Sequence, residues 1–414
     1  MNKAQVQRLK RLLIGTGTLG AGNLAAQVLR LTSTLIILAM YTRDAFGLYA
    51  VFFSYVNILI TVNSLAYPAA IPNMTGQDVP KLALGSIWLA IISSLLIWLL
   101  YGLAGYPHAA ALALYCLAYA VYRTFDMLSL RAKAFSAMAV LKLVQPVTML
   151  LCLAWIYYHG NRNVTELIWS QVIAGAAAAI SFFASARSKM ESRGVKIRAV
   201  IEALKRERSW PLLMAPSEFM GNLGYFLPVI LIEYFIGAGS AGEYGLVLRL
   251  CLGPIMVLSH SATQVYHAEF SQARRMGEAH AFNRVRYMNF VIGIAGIIVA
   301  ILIGLILPVL VEFLYPGKYL MTGTLSVLLA PMFGFMLFVM PMETAFLAFS
   351  RLDLLFASQV VNLAATLTCF GYIAPNYGLV TAAGLYSAVQ CARFSAEYVL
   401  AKRVLQGRII KNTG

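Results

Sequence analysis

The 414 residues are 60% hydrophobic and only 12% charged, with a mean hydropathy of +0.76. A soluble domain carries about 25% charged residues, so these proportions exclude one and define an all-α, polytopic membrane protein. The formal charge of +16 does not point to a nucleic acid, because 24 of the 32 Lys and Arg fall in segments facing one side of the membrane. That asymmetry is the positive-inside rule.

The chain begins "MNKAQVQRLKRLLIGTGTLGAG", which has the charge of a signal peptide. The apolar run continues to Met40, so this reads as a retained first span. A hydrocarbon core about 30 Å thick takes about 20 helical residues. Runs of that kind fall at 13–40, 47–71, 82–104, 109–128, 137–158, 167–186, 211–236, 244–268, 287–311, 324–349, 353–373 and 378–400, giving twelve spans. With Lys3, Arg8, Lys10 and Arg11 placed in the cytoplasm, every later basic loop follows, and both termini are cytoplasmic. Only Arg43, Arg162 and Lys318 fall on the other side.

The longest connection, "RSKMESRGVKIRAVIEALKRERSW" at 187–210, holds eight bases and three acids. It separates a six-helix bundle at 1–186 from a second at 211–414, and part of it is expected to form an amphipathic surface helix. Outward loops are short, leaving no external domain to carry chemistry. The halves share weak similarity: Gly22-Asn23-Leu24 recurs as Gly221-Asn222-Leu223, and "AFGLYAV" at 45–51 recurs as "AGEYGLV" at 241–247. Six spans per half make these parallel repeats, a known transporter design.

Polar residues inside the spans form stripes. Asn23, Gln27, Arg30 and Thr34 share one helical face of the first span. Ser54, Asn57, Thr61 and Ser64 align on the second; Arg249, His260 and His267 on the eighth; Tyr386, Gln390, Arg393 and Glu397 on the twelfth. Such stripes turn toward other helices or a water-filled cavity, and Ser, Thr and Asn in them also serve as interhelical glue.

A charge at the centre of a span costs about 2.5–3.5 kcal/mol on insertion scales, so the five bases within spans carry more weight. Lys142 lies about one turn from the cytoplasmic edge and is expected to snorkel. Arg123 has Asp126 three residues on and Arg393 has Glu397 four residues on, so each reads equally as an ion pair or a ligand group. Arg249 lies in the outward third, within reach of water. Arg30 is nineteen residues after Arg11 and thirteen before Arg43, with no acid on its own span. That makes Arg30 the leading candidate for binding an anion. Among the acids Asp126, Glu218, Glu233, Glu343 and Glu397, candidates for ion coupling are Glu218, Glu233, Asp126 and Glu397. Pro216 and Pro228 are expected to kink the seventh span.

The five cysteines lie in apolar runs, so no disulfide framework is expected. No phosphate-binding Gly-x-x-x-x-Gly-Lys-[Ser/Thr] loop occurs, and His260 and His267 lack a third partner for a metal. Neither a cofactor nor a metal is expected.

The chain resembles the polysaccharide transporter family. These are oligosaccharide flippases of the larger group that includes the multidrug and toxin extrusion proteins and the lipid II flippase. The resemblance spans nearly the whole length. It is carried by the basic tail before a Gly-rich first span, by "FGLYAVFFSYVNILITVNSLAYPAAIP", by "GAGSAGEYGLVLRLCLGPIMVLSHSATQVYHAEF", by "RLDLLFASQVVNLAATL" and by "NYGLVTAAG". It implies two six-helix bundles facing a central cavity. It also implies a substrate, an undecaprenyl-pyrophosphate-linked glycan, crossing the bacterial inner membrane. Arg30, Gln27, Asn23, Asn57, Arg249 and Arg393 are the candidate cavity residues, because a guanidinium offers bidentate hydrogen bonds to phosphate oxygens. A monomer surrounded by membrane lipid, near a polysaccharide polymerase and glycosyltransferases, is expected. The alternatives are a multidrug/cation antiporter of the same fold, which should have a carboxylate-dominated cavity, and a membrane polymerase or glycosyltransferase, which needs a long outward loop that this chain lacks.

Overall fold

Apolar runs become helices in this chain because backbone in hydrocarbon must satisfy every N–H and C=O within its own segment. A computed structural model describes residues 3–74, 78–187, 196–275, 282–349 and 351–406, and all regular structure among them is helical. The first half contains α1 (Lys3–Met40), α2 (Arg43–Asn63), α3 (Val79–Leu103), α4 (Ala109–Arg131), α5 (Phe135–His159) and α6 (Val164–Ala186). A short α7 (Ile197–Arg206) follows, the amphipathic helix expected in the basic connection. Then come α8 (Ala215–Phe235), α9 (Ala238–Arg275), α10 (Phe282–Leu314), α11 (Leu320–Ala348), α12 (Leu352–Thr366), α13 (Ala374–Tyr377) and α14 (Leu379–Leu405). A π-helical turn at Leu367–Ile373 joins α12 to α13 into one long segment.

Among the described residues, twelve long helical segments stand at the twelve apolar runs. Eight are long and apolar enough to cross a membrane by length and composition. The other four, α4, α8, α9 and α14, carry the internal charges Arg123 and Asp126, Glu218 and Glu233, Glu243 and Arg249, and Arg393 and Glu397.

The second run, expected as one span over 47–71, breaks after Asn63. Pro68 lacks the N–H that would bond the Ser64 carbonyl, so the Tyr67 N–H takes it instead, at 3.1 Å. Leu65 and Ala66 turn through left-handed backbone, and Tyr67–Asn73 continue as 3₁₀ helix.

Contacts divide the chain into two compact units, residues 1–45 with 52–222 and residues 46–51 with 223–414. In the first, α1 packs on α5, α4 lies against α3 and α6, and α7 lies on α3. Its core joins Tyr67, Ile71, Leu82, Phe125, Leu128 and Phe182. In the second, α11 contacts α9, α10 and α14, over a core that includes Tyr266, Phe270, Met342, Phe346 and Val404. The two copies of the second sequence repeat mate with each other in this unit. A Cβ on Gly47 would collide with the Ala238 carbonyl, and one on Gly245 would lie 2.8 Å from the Ala50 Cβ.

Candidate functional site

Polar side chains from several helices form a hydrogen-bonded cluster in each unit. In the first unit the close approach of α1 and α5 sets the register. A Cβ on Gly22 would sit 2.6 Å from the Ala139 Cβ, and two turns further along both helices Arg30 meets Gln145. Arg30 Nη2 donates to Gln145 Oε1 at 3.3 Å. Gln145 Nε2 donates to the Tyr115 hydroxyl at 3.0 Å, and Gln171 Nε2 donates to the same oxygen at 3.2 Å. Four helices, α1, α5, α4 and α6, therefore hold one guanidinium through neutral groups. The Arg30 side chain is exposed and stands about 200° around α1 from Val28. Val28 and Leu24, the exposed large apolar residues of α1 among the described residues, lie on the opposite face. Gln27 and Thr34 are buried and Asn23 is half-buried.

A second set of charges lies beside it. Arg123 on α4 is in electrostatic reach of Glu218 on α8 and of Asp126. Asp126 also feels Lys142 of α5. Asn222 on α8 donates to the Asn57 carbonyl at 3.1 Å, while the Asn57 amide donates back to the Phe53 carbonyl one turn earlier in α2, at 2.7 Å.

The second unit's cluster is buried. Tyr386, Gln390, Arg393 and Glu397 are each at most 5% exposed. Arg393 Nη1 pairs with Glu397 Oε1 at 2.7 Å and donates to Ser358 Oγ at 2.9 Å, while its Nε donates to Gln390 Oε1 at 2.7 Å. Ser358 also donates to Glu397. Gln390 Nε2 donates to Asn362 Oδ1 at 2.5 Å. Glu343 on α11 adds a second carboxylate in electrostatic reach of Arg393 and Glu397, and Tyr225 on α8 faces the same charges.

Pro228 explains why α8 joins this network. Its missing N–H frees the Gly224 carbonyl, which instead accepts from Thr366 Oγ1 at 3.0 Å and from the Tyr386 hydroxyl at 2.9 Å. The Asn362 side chain fills the space a Cβ at Gly224 would take. Among the described residues Arg393 Nη2 and Glu397 Oε2 have no hydrogen-bond partner.

Arg30 and Arg393 therefore sit in different units. Arg249 lies over the Tyr49 ring at 5.0 Å in the second unit. Glu233 is in the last turn of α8, outside both clusters. The His260 side chain lies outside the described residues. Sequence reasoning missed Glu243, which is wholly buried and accepts from Thr322 Oγ1 at 3.3 Å. Its position inside the repeated "AGEYGLV" was the available signal. Ser358 and Asn362 were missed too, because each is an ordinary polar residue until α14 packs on it. Among the described residues no three His, Cys, Asp or Glu side chains converge to hold a metal.

The fold and clusters define a class: a polytopic helical membrane protein with a charged polar cluster among the spans of each unit. Comparison with known proteins narrows the fold further. The chain superposes on an inward-facing multidrug resistance MATE family transporter of the MOP superfamily with a TM-score of 0.70, at 12% identity, covering 94% of this chain and 98% of that one. The MATE transporter VcmN of Vibrio cholerae, solved as a point mutant, gives 0.65 at 15% identity over 99% of both chains. An outward-facing MATE family transporter gives 0.61 at 14% identity, over 96% and 95%. The chain has the MATE transporter fold. No family model and no curated protein matches the sequence.

Proposed function

We propose that this chain is a transporter rather than an enzyme, a flippase that carries an undecaprenyl-pyrophosphate-linked oligosaccharide across the bacterial inner membrane. One observation carries the reading. Arg30, deep in a span, presents an exposed guanidinium whose hydrogen bond goes to the uncharged Gln145. A pyrophosphate entering hydrocarbon loses its solvation, and a planar, permanently charged donor fork replaces part of it. Gln27, Asn23, Asn57 and Arg249 are the proposed accompanying polar contacts. Arg393 is proposed as a further member of the set, acting through its cluster. Glu218, Asp126 and Glu397 are the proposed ion-coupling carboxylates, with Glu233 ranked after them because it lies apart from the clusters. Both termini are proposed to be cytoplasmic and the protein to work as a monomer near polymerase and glycosyltransferases.

Multidrug export is the second reading, favoured by the multidrug resistance transporters that share the fold. The two are separated by measuring surface glycan and leaflet-resolved lipid-linked sugar alongside cationic drug efflux, in cells with wild type, Arg30→Ala and Arg30→Lys at matched expression. The flippase reading expects lipid-linked sugar to accumulate on the cytoplasmic leaflet in Arg30→Ala, with partial rescue by Arg30→Lys. Drug efflux by the wild type, with normal glycan export in Arg30→Ala, supports the second reading instead. For coupling, transport by Glu218→Gln that keeps its wild-type pH dependence would remove that residue from the coupling set.

A further inference from the structure

The α7 helix is fastened to the start of α3. Val200 and Ala203 are buried, and Leu204 packs on Gly85, where a Cβ would come 2.9 Å from the leucine Cδ2. The Tyr67 hydroxyl donates to the Leu204 carbonyl at 2.9 Å. Arg206 Nη1 meets Asp78 Oδ2 at 2.6 Å, and the other Asp78 oxygen takes Lys81 Nζ at 2.8 Å. Asp78 to Gly85 covers the first two turns of a membrane-spanning helix, about 10 Å along its axis. A helix clamped at that level lies at headgroup depth.

Its remaining surface is amphipathic in a second sense. Ile197 and Ile201, one turn apart, are 64% and 46% exposed, and Leu212 beyond them is 66% exposed. Arg198, Lys205 and Arg208 are exposed beside this apolar edge. The Arg198–Glu202 pair, at 3.2 Å, is open to solvent on both sides and competes weakly for the guanidinium.

We propose that α7 is a lipid-recognition surface for acidic phospholipid headgroups. Ile197 and Ile201 enter the boundary between headgroups and acyl chains, and Arg198, Lys205 and Arg208 meet the lipid phosphates. Apolar area and basic charge act together in such binding. Each base near an anionic leaflet changes partitioning about fivefold.

The experiment is hydrogen exchange of residues 197–206 in the full chain, reconstituted in nanodiscs of phosphatidylcholine alone or mixed with phosphatidylglycerol. The mixed bilayer is expected to slow exchange about tenfold. The triple variant Arg198→Gln, Lys205→Gln, Arg208→Gln, confined to exposed positions, is expected to erase that difference. Equal exchange in the two bilayers overturns the proposal, as does slowing that survives in the triple variant. Slowing by soluble polyphosphate in the neutral disc, with none from phosphatidylglycerol, assigns these bases to a soluble anion and also overturns it.

Discussion

Arg30 and Arg393 are the same residue type, each within a long helix of its own unit, yet their surroundings differ in kind. Arg393 is 5% exposed and ion-paired with Glu397, with Glu343 nearby. Arg30 is exposed and hydrogen-bonded to an amide. A buried charge with a carboxylate partner is compensated within the protein, whereas an accessible charge held by neutral groups is not. The contrast teaches that a basic residue in a span has no fixed meaning until its nearest carboxylate is known.

The largest effect should come from splitting the buried pair. Arg393→Ala leaves Glu397 and Glu343 uncompensated, at a cost of about 3–5 kcal/mol, read as a fall in the thermal unfolding midpoint of the purified protein. The double change Arg393→Met with Glu397→Leu is expected to recover most of that loss. If it does not, the cluster acts through more than the pair.

Arg30→Ala should do the opposite. Unfolding is expected to stay within about 0.5 kcal/mol of wild type, while substrate affinity falls by about 1.5–3 kcal/mol, ten- to a hundredfold. Gln145→Glu sharpens the same point by placing a carboxylate against Arg30. Its binding loss should match that of Arg30→Ala with the arginine still present. A destabilised Arg30→Ala protein would make Arg30 a structural residue.

Gly224→Ala tests how closely the second cluster is packed. The added methyl meets Asn362, and the displacement should cost about 1–3 kcal/mol in the unfolding midpoint. Tyr115→Phe is the mildest test. It removes the oxygen that two glutamines share, and about 1 kcal/mol of stability should go with it. Arg30-dependent binding should weaken as Gln145 loses its orientation, and unchanged binding would show that Gln145 is held by other contacts.

Membrane class, the twelve long helical segments and the shared face of Tyr386, Gln390, Arg393 and Glu397 were determined by the sequence alone. Apolar length and a period of 3.6 residues are local properties, and lipid leaves the backbone few alternatives. Pro228 announced a disturbance in α8. Only the tertiary structure decided that its freed carbonyl at Gly224 would be taken by Thr366 and Tyr386, from segments more than 140 residues away. The break after Asn63 and the burial of Glu243 were decided at the same level. So were the pairings that distinguish the arginines: Glu218 reaches Arg123 from α8, Glu343 reaches Arg393 from α11, and Arg30 meets Gln145 on α5. The physical reason is register. Electrostatic partners act over a few ångströms, and which helix turns stand that close is fixed by side-chain packing such as Gly22 on Ala139, which no local pattern encodes.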